Sequence, residues 1–406
     1  MAHLKWIRLI GITIPLLLVT GLDAFCLSPD SVSTDLQIAY EQLQSLINYS
    51  NLAMRSRVGE HDASSSSCTS DRIQVRREWG KMSASERIAY TNAVGCLQSK
   101  PAKSDPLWAP GAKTRFDDWL ATHINQTLTI HFTGTFYAWH RWAVWEYEQS
   151  LRRECGYNGT QPYWNWALTA ITGLESSPIW DGSPTSMGGN GEKIEQTGQI
   201  VLNEFVSLPT GTGGGCVKTG PFANTPVNMG PVLSLQPGNV TLVALNNSMG
   251  YNPRCLKRDL TDFINRSWAN GTSVLNTILI PQDIDSFQNI LQGLLGVDYP
   301  SIHTAGHFAM GGDPGRDVFA APGDPVFWLH HGMVDLVWHL WQTLDYDART
   351  FGSNAISGTG TLRNSPPSPN TTFDTPISLD WAGQNKTVKM RDLMSTISGP
   401  FCYVYE

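Results

Sequence analysis

The sequence has no cluster of lysine and arginine. Charged residues make up only 16% of it and the net charge is -7. That balance excludes the basic footprint of a nucleic-acid binder. Beyond the first twenty residues no stretch reaches the ~18 consecutive apolar residues that a spanning helix needs. No C-x-x-C pair occurs, so neither a zinc ribbon nor a thioredoxin-type redox motif is present. No repeat recurs at a solenoid period. No charge block or compositional break divides the chain. Histidine is missing from the entire interval between His140 and His303, although the chain has ten histidines.

What is present fits one sizeable core. Of 406 residues, 41% are hydrophobic and 15 are tryptophan. Many tryptophans mean a large aromatic core or an aromatic-lined pocket. The N-terminus resembles a secretory leader. Lys5 and Arg8 precede an apolar stretch from Leu9 to Thr20 that is too short for a membrane span. Cleavage between residues 21 and 24 is expected, with Val19-Thr20-Gly21 fitting the small-residue rule better than Leu22-Asp23-Ala24. An uncleaved anchor is the alternative. A leader over 1–24 leaves 25–406 as a single domain. Sequons at Asn48, Asn125, Asn158, Asn239, Asn246, Asn265, Asn270, Asn370 and Asn385 agree with export as a glycoprotein. Seven scattered cysteines (26, 68, 96, 155, 216, 255 and 402) agree too, because an oxidising compartment favours disulfides. Six of them allow 15 pairings, with one left over.

The periodicity predicts a mainly α fold with long loops and few short strands. Apolar spacing marks helices over Asp35–Met54, Phe136–Arg153 and Ile284–Leu295. Ser83-Ala84-Ser85-Glu86 reads as a capping box for a helix running to Cys96. Asp324-Pro325 reads as the cap and first turn of a helix running to about Leu344. Gly182–Gly238 and Gly352–Ser378 read as loops.

Eight of the ten histidines fall in two clusters, 123–140 and 303–339; His3 lies in the leader and His61 in a polar loop. His303 and His307 are four apart, so on a helix they share a face one turn apart. His131 and His140 are nine apart, about 180° apart on one straight helix. They need a break, and Gly134 offers one. Each cluster then supplies three imidazoles: His123, His131 and His140, and His303, His307 and His331. Imidazole-only ligation suits Cu, Zn, Fe or Ni. A structural zinc site usually includes cysteine. The His303-Thr304-Ala305-Gly306-His307 stretch has no acid to act as a hydrolase base. Paired three-histidine sites without carboxylate favour copper and dioxygen chemistry. On spacing alone, histidines without metal remain an equal reading.

Residues 131–148, HFTGTFYAWHRWAVWEYE, resemble the first copper signature of the tyrosinase, catechol oxidase and haemocyanin superfamily. Residues 324–335, DPVFWLHHGMVD, resemble the second. Pro162-Tyr163-Trp164-Asn165-Trp166, Val75-Arg76-Arg77-Glu78-Trp79 and Tyr403-Val404-Tyr405 resemble further motifs of the family. The likeness covers roughly residues 70 to 406 and is similar in extent to the short secreted fungal forms, without a C-terminal shielding domain.

The resemblance implies a helical bundle holding two copper ions, with His123, His131, His140, His303, His307 and His331 as ligands. By register on Phe327 and Asp335, His331 rather than His330 matches the ligand, leaving His330 beside the site. Asp335 becomes a candidate to orient an imidazole or to form a structural ion pair, and Leu336, where relatives carry a basic residue, suggests a missing local ion pair. Ala320 falls near the position that gates entry, so a small residue there suggests an open mouth. Ala121 stands where some relatives carry a cysteine linked to histidine. Hydroxylating relatives often have Asn after the first ligand of the second copper and a Glu upstream; here Thr304 and Gln292-Gly293-Leu294-Leu295 stand instead. The implied function is oxidation of o-diphenols, with o-aminophenols as further substrates, to o-quinones by O2. Monophenol hydroxylation and a phenol oxidase dedicated to one pigment or secondary-metabolite pathway are the alternatives. An oxygen carrier, a zinc hydrolase and a metal-free scaffold are the rivals from other classes. Phenol and O2 are the expected partners, with neither nucleic acid nor membrane after leader removal.

Overall fold

The computed structural model describes residues 5–9, 12–16, 29–60, 68–293 and 300–406. Apart from two short paired strands, Lys5–Leu9 and Ile12–Leu16, the leader-like stretch lies outside the described residues, as do Cys26, His3, His61 and the loop 61–67.

Helices carry the architecture. They are α1 (Pro29–Glu60), α2 (Ala84–Ser99), α3 (Arg115–Ile130), α4 (Phe136–Cys155), α5 (Trp166–Thr172), α6 (Asp262–Trp268), α7 (Gly271–Leu279), α8 (Ile284–Gln292), α9 (Ile302–Met310), α10 (Phe327–Thr343) and α11 (Tyr346–Thr350). The expected box starts α2: Ser83 Oγ accepts from the Glu86 amide while the Glu86 carboxylate accepts from the Ser83 amide. Thr114 and Asp117 start α3 in the same way. Gly156, at φ 69°, closes α4 in the left-handed conformation that a residue without Cβ adopts most cheaply. Strands are short, and the stretch 182–238 is loop with two- to four-residue pairings, as its Gly/Pro content predicts.

Two expectations need correction. The first helix is longer than its apolar pattern, starting at Pro29 and ending at Glu60. The helix expected to launch at Asp324 starts at Phe327, so His331 stands little more than one turn in. Asp324 accepts the Val326 amide, but its carboxylate is mainly committed to Arg258, at 2.8 Å to both Nε and Nη2.

Helix α10 is buried along its whole length and packs against α1, α4, α7 and α9. Its apolar sequence leaves one carboxylate inside, Asp335. That carboxylate accepts from Arg141 Nε (2.6 Å), Arg76 Nη1 (3.4 Å), Tyr403 OH (2.6 Å) and Tyr405 OH (2.5 Å). The ion pair expected to be missing at Leu336 is therefore supplied by two distant arginines. Arg76 lies in strand β1 (Gln74–Arg76), which pairs in parallel with β2 (Tyr403–Tyr405). Disulfides join Cys68 to Cys402, Cys96 to Cys155 and Cys216 to Cys255. Among the described residues no helix is long and apolar enough to cross a membrane.

Candidate metal centre

Helix α3 brings His123 inward on its buried face. The helix stops at Ile130, and His131 is extended (φ -119°, ψ 140°). Phe132 follows at φ 50°, so the chain turns back at once. Gly134 fits this turn against a neighbouring loop; a Cβ there would sit 2.6 Å from Thr371. Helix α4 then returns with His140 on its second turn. The break between His131 and His140 is thus where the spacing required it. On the other side α9 carries His303 and His307 one turn apart, and α10 carries His330 and His331.

These residues form two groups whose candidate ligand atoms lie within 4.8 Å of one another: His123, His131 and His140, and His303, His307, His330 and His331. The groups face each other. His140 stacks on His331 with ring centroids 4.5 Å apart, and His131 stacks on His303 at 6.2 Å. Phe327 packs against a ring of each group, 5.4 Å from His123 and 4.2 Å from His331. His330 packs against His307 with ring centroids 4.3 Å apart and, on its other side, meets two tryptophans. These are Trp166 (5.1 Å) and Trp164 (6.1 Å), and no Cβ would fit at Gly306, which would place one 2.3 Å from the His330 ring.

The hydrogen bonding fits a metal. His123, His131 and His140 each present Nδ1 to a backbone carbonyl: Phe319 at 2.7 Å, Thr127 at 3.0 Å and Phe136 at 2.8 Å. A carbonyl only accepts, so each Nδ1 carries the proton and each Nε2 presents a lone pair. Nε2 of His123 and His140 is buried with no partner, as are Nε2 of His303, Nδ1 of His307 and both nitrogens of His331 and His330. Buried polar atoms are rarely left unsatisfied without a reason. Burial, with neighbouring imidazoles adding to it, pushes these histidines below their ordinary pKa, His307 to about 3. Burial pushes His131 to about 4 against the Thr127 carbonyl, which works to raise it. All are neutral at pH 7, the state a metal requires. No carboxylate or thiolate belongs to either group. An all-imidazole donor set suits copper within the range Cu, Zn, Fe and Ni.

Other sequence candidates are placed differently. Asp335 touches none of these imidazoles; its partners are the arginines and tyrosines named above, so it holds α10 in place. Ala320 is fully buried and would meet any side chain at Gly230 within 3.0 Å, so it does not form an open rim. Its neighbour Phe319 is half-buried and supplies the carbonyl to His123. Thr304 is half-buried beside His303, its hydroxyl accepting from Ser301 Oγ at 3.2 Å. His339 lies apart, bonded to Ser50 and Thr396. Ala121 is buried on the His123 helix. Sequence reasoning missed the carbonyls of Phe319, Thr127 and Phe136, because a main-chain acceptor leaves no side-chain signature. It also missed Gln292, whose Oε1 accepts from the Phe132 amide at 2.8 Å and so steadies the residue after His131.

Residues 113–344 match the family described as the common central domain of tyrosinase. Tyrosinase P of Aspergillus terreus is 38% identical over 340 residues, covering 82% of this chain and 92% of that protein. N-acetyl-6-hydroxytryptophan oxidase of Emericella nidulans is 37% identical over 350 residues, covering 84% and 94%. A solved structure of a polyphenol oxidase mutant from Thermothelomyces thermophila superposes with a TM-score of 0.84 at 42% identity, covering 90% of this chain and 98% of that one.

Proposed function

Since the chain belongs to the tyrosinase family of oxidases, we propose that it oxidises o-diphenols, and o-aminophenols by the same loss of two electrons, with O2 as acceptor. Two diphenols become two o-quinones as one O2 becomes two waters. The observation that supports this reading best is the pair of opposed imidazole groups with their orphaned nitrogens. In it, His123, His131 and His140 hold one copper, and His303, His307 and His331 hold the other. A bound copper pair supplies the electron transfer between phenol and O2.

The protein's own part is orientation, neutrality and dryness. The carbonyls of Phe319, Thr127 and Phe136 fix three rings in one tautomer, so no ring rearrangement is needed on loading. Phe327, buried and in contact with a ring of each group, adds an apolar wall beside them. His330 packs behind His307, at 4.3 Å between ring centroids, and buttresses it. His331 rather than His330 is assigned as the ligand because it faces His140.

A phenol of pKa about 10 must lose its proton before it is hydroxylated. Thr304 follows His303, and the side-chain oxygen of Gln292 is taken up by the Phe132 amide; neither residue is a base. This supports o-diphenol oxidation over monophenol hydroxylation. A pathway-dedicated phenol oxidase is the second reading, favoured by similarity to an oxidase named for N-acetyl-6-hydroxytryptophan. Secretion is proposed from the leader-like N-terminus, the three disulfides and the exposed sequons at Asn48, Asn125, Asn158, Asn239, Asn246, Asn370 and Asn385.

Oxygen uptake by copper-loaded protein tests the reading, with catechol, 4-methylcatechol, 2-aminophenol, tyrosol and tyrosine as substrates. Uptake with the first three is expected. Uptake with tyrosine or tyrosol, without added diphenol, would refute the diphenol preference.

A further inference from the structure

The histidine groups are not equally covered. His330, His331, His123 and His140 are almost wholly enclosed, whereas His307 is half-buried and His303 and His131 retain slightly more exposure than the rest. Half-buried residues adjoin them: Thr304 follows His303, Phe132 follows His131, and Arg363 joins Phe132 to Gly293. This edge is the less covered side of the two groups.

Arg363 is the charged member of that rim. Its backbone is held against the turn that carries His131: the Arg363 amide donates to the Phe132 carbonyl at 3.1 Å. Arg363 and Asn364 both sit in the left-handed region, at φ 50° and 58°, opposite Phe132 at 50°. Non-glycine residues adopt that conformation only where surroundings hold them there. The guanidinium lies 4.2 Å over the Phe132 ring, and Nη2 donates to the Gly293 carbonyl at 3.1 Å. Nε is buried and unpartnered. Among the described residues no carboxylate pairs with it, and burial alone pulls its pKa below the ordinary arginine value. With no counter-charge among the described residues, the guanidinium has donor capacity left for an anion from outside the chain. The chain as a whole is acidic, at -7, so its general field repels anions and does not gather them.

Resting on the oxidase reading above, we propose that Arg363 is a substrate-binding residue that receives a carboxylate on the side chain of the phenol, so that the preferred substrates are acidic diphenols. A planar guanidinium with free donors matches a carboxylate. The anion would satisfy the cation at the rim while the ring enters over His303 and His307. The contact with Gly293 gives Arg363 a structural role as well, closing the C-terminal end of α8, and the test separates the two.

The first arm uses metal-free protein and unreactive probes, 3-phenylpropanoate against 3-phenylpropanamide, followed by tryptophan fluorescence or calorimetry. The acid should bind about tenfold tighter than the amide (~1.4 kcal/mol). That ratio should fall towards one in Arg363→Gln, survive in Arg363→Lys, and shrink in the unmutated protein as salt rises. The second arm uses copper-loaded protein and compares 3-(3,4-dihydroxyphenyl)propanoate with 4-methylcatechol. The acid's advantage should lie in KM, and Arg363→Gln should remove it. Equal binding of acid and amide, or a preference that Arg363→Gln keeps, overturns the proposal. Oxidation of neither diphenol, with the binding preference intact, overturns the oxidase reading and leaves the anion site standing.

Discussion

Replacing Asp335 with Asn should destabilise the protein severely while leaving its copper content intact. The carboxylate is enclosed and accepts four hydrogen bonds, two from guanidinium groups and two from tyrosine hydroxyls. Arg76 keeps a second anion, Glu148 at 2.8 Å. Arg141 does not; its remaining contacts are the Met394 carbonyl, the Gln342 amide oxygen and the face of Trp338 at 3.7 Å. The amide would thus strand a buried cation and offer an N–H where a hydroxyl now donates. Breaking a buried pair in this way costs about 3–5 kcal/mol. Urea unfolding followed by tryptophan fluorescence, with disulfides intact, measures the loss directly, and elemental analysis measures copper. The carboxylate should also resist acid, because Arg141 and Arg76 outweigh burial and hold its pKa below the ordinary value. Its contribution is therefore present above the unfolded carboxylate range and fades only as pH falls below it. A loss under about 1 kcal/mol, or depleted copper in a protein of normal stability, would refute the assignment of Asp335 to anchoring and restore a role at the imidazoles.

Further expectations concern the centre itself. His331→Ala should bind one copper fewer per chain and take up no oxygen, whereas His330→Ala should retain both coppers; the opposite pattern would reverse the register on α10. Gly306→Ala would place a methyl 2.3 Å from His330, an overpacking cost of about 1–3 kcal/mol, and should lower copper occupancy in step with thermal stability. Metal-free protein should lose stability on acidification. His131 and His339 are held near pKa values of about 4 and about 3 by burial, against ~6.5 when unfolded. Stability is therefore full above ~6.5 and falls by roughly 1.4 kcal/mol per pH unit for each such group down to its folded value. A flat profile between pH 7 and 4 in denaturant titrations would contradict this.

Much of the site was legible because its chemistry lives in local spacing. The four-residue step from His303 to His307 dictated a shared helical face, and the nine-residue step from His131 to His140 dictated a break that Gly134 allows. Ser83 and Glu86 announced α2 for the same reason. What escaped was non-local or carried by the main chain. Arg76, Arg141, Tyr403 and Tyr405 converge on Asp335 from three distant segments, and no window in the sequence contains them together. The start of α10 was displaced because the carboxylate of Asp324, a good cap locally, is taken up by Arg258. Ala320 was misjudged as a rim because side-chain size was read without knowing that Gly230 lies against it. Pairing of the cysteines depended on the same long-range closure.

That closure has a consequence for how the enzyme survives outside its fold. Cys68 and Cys402 are 334 positions apart, and tying so wide a ring restricts the unfolded ensemble by an amount on the order of 5 kcal/mol. A protease that nicks the exposed loop around Phe205 or Val243 would produce two pieces that cannot drift apart, since the Cys68–Cys402 bridge still joins them, as does Cys216–Cys255 after a cut near Val243. Cleaved material should therefore migrate as one species without reductant and as two with it, and should keep both halves of the metal centre facing each other.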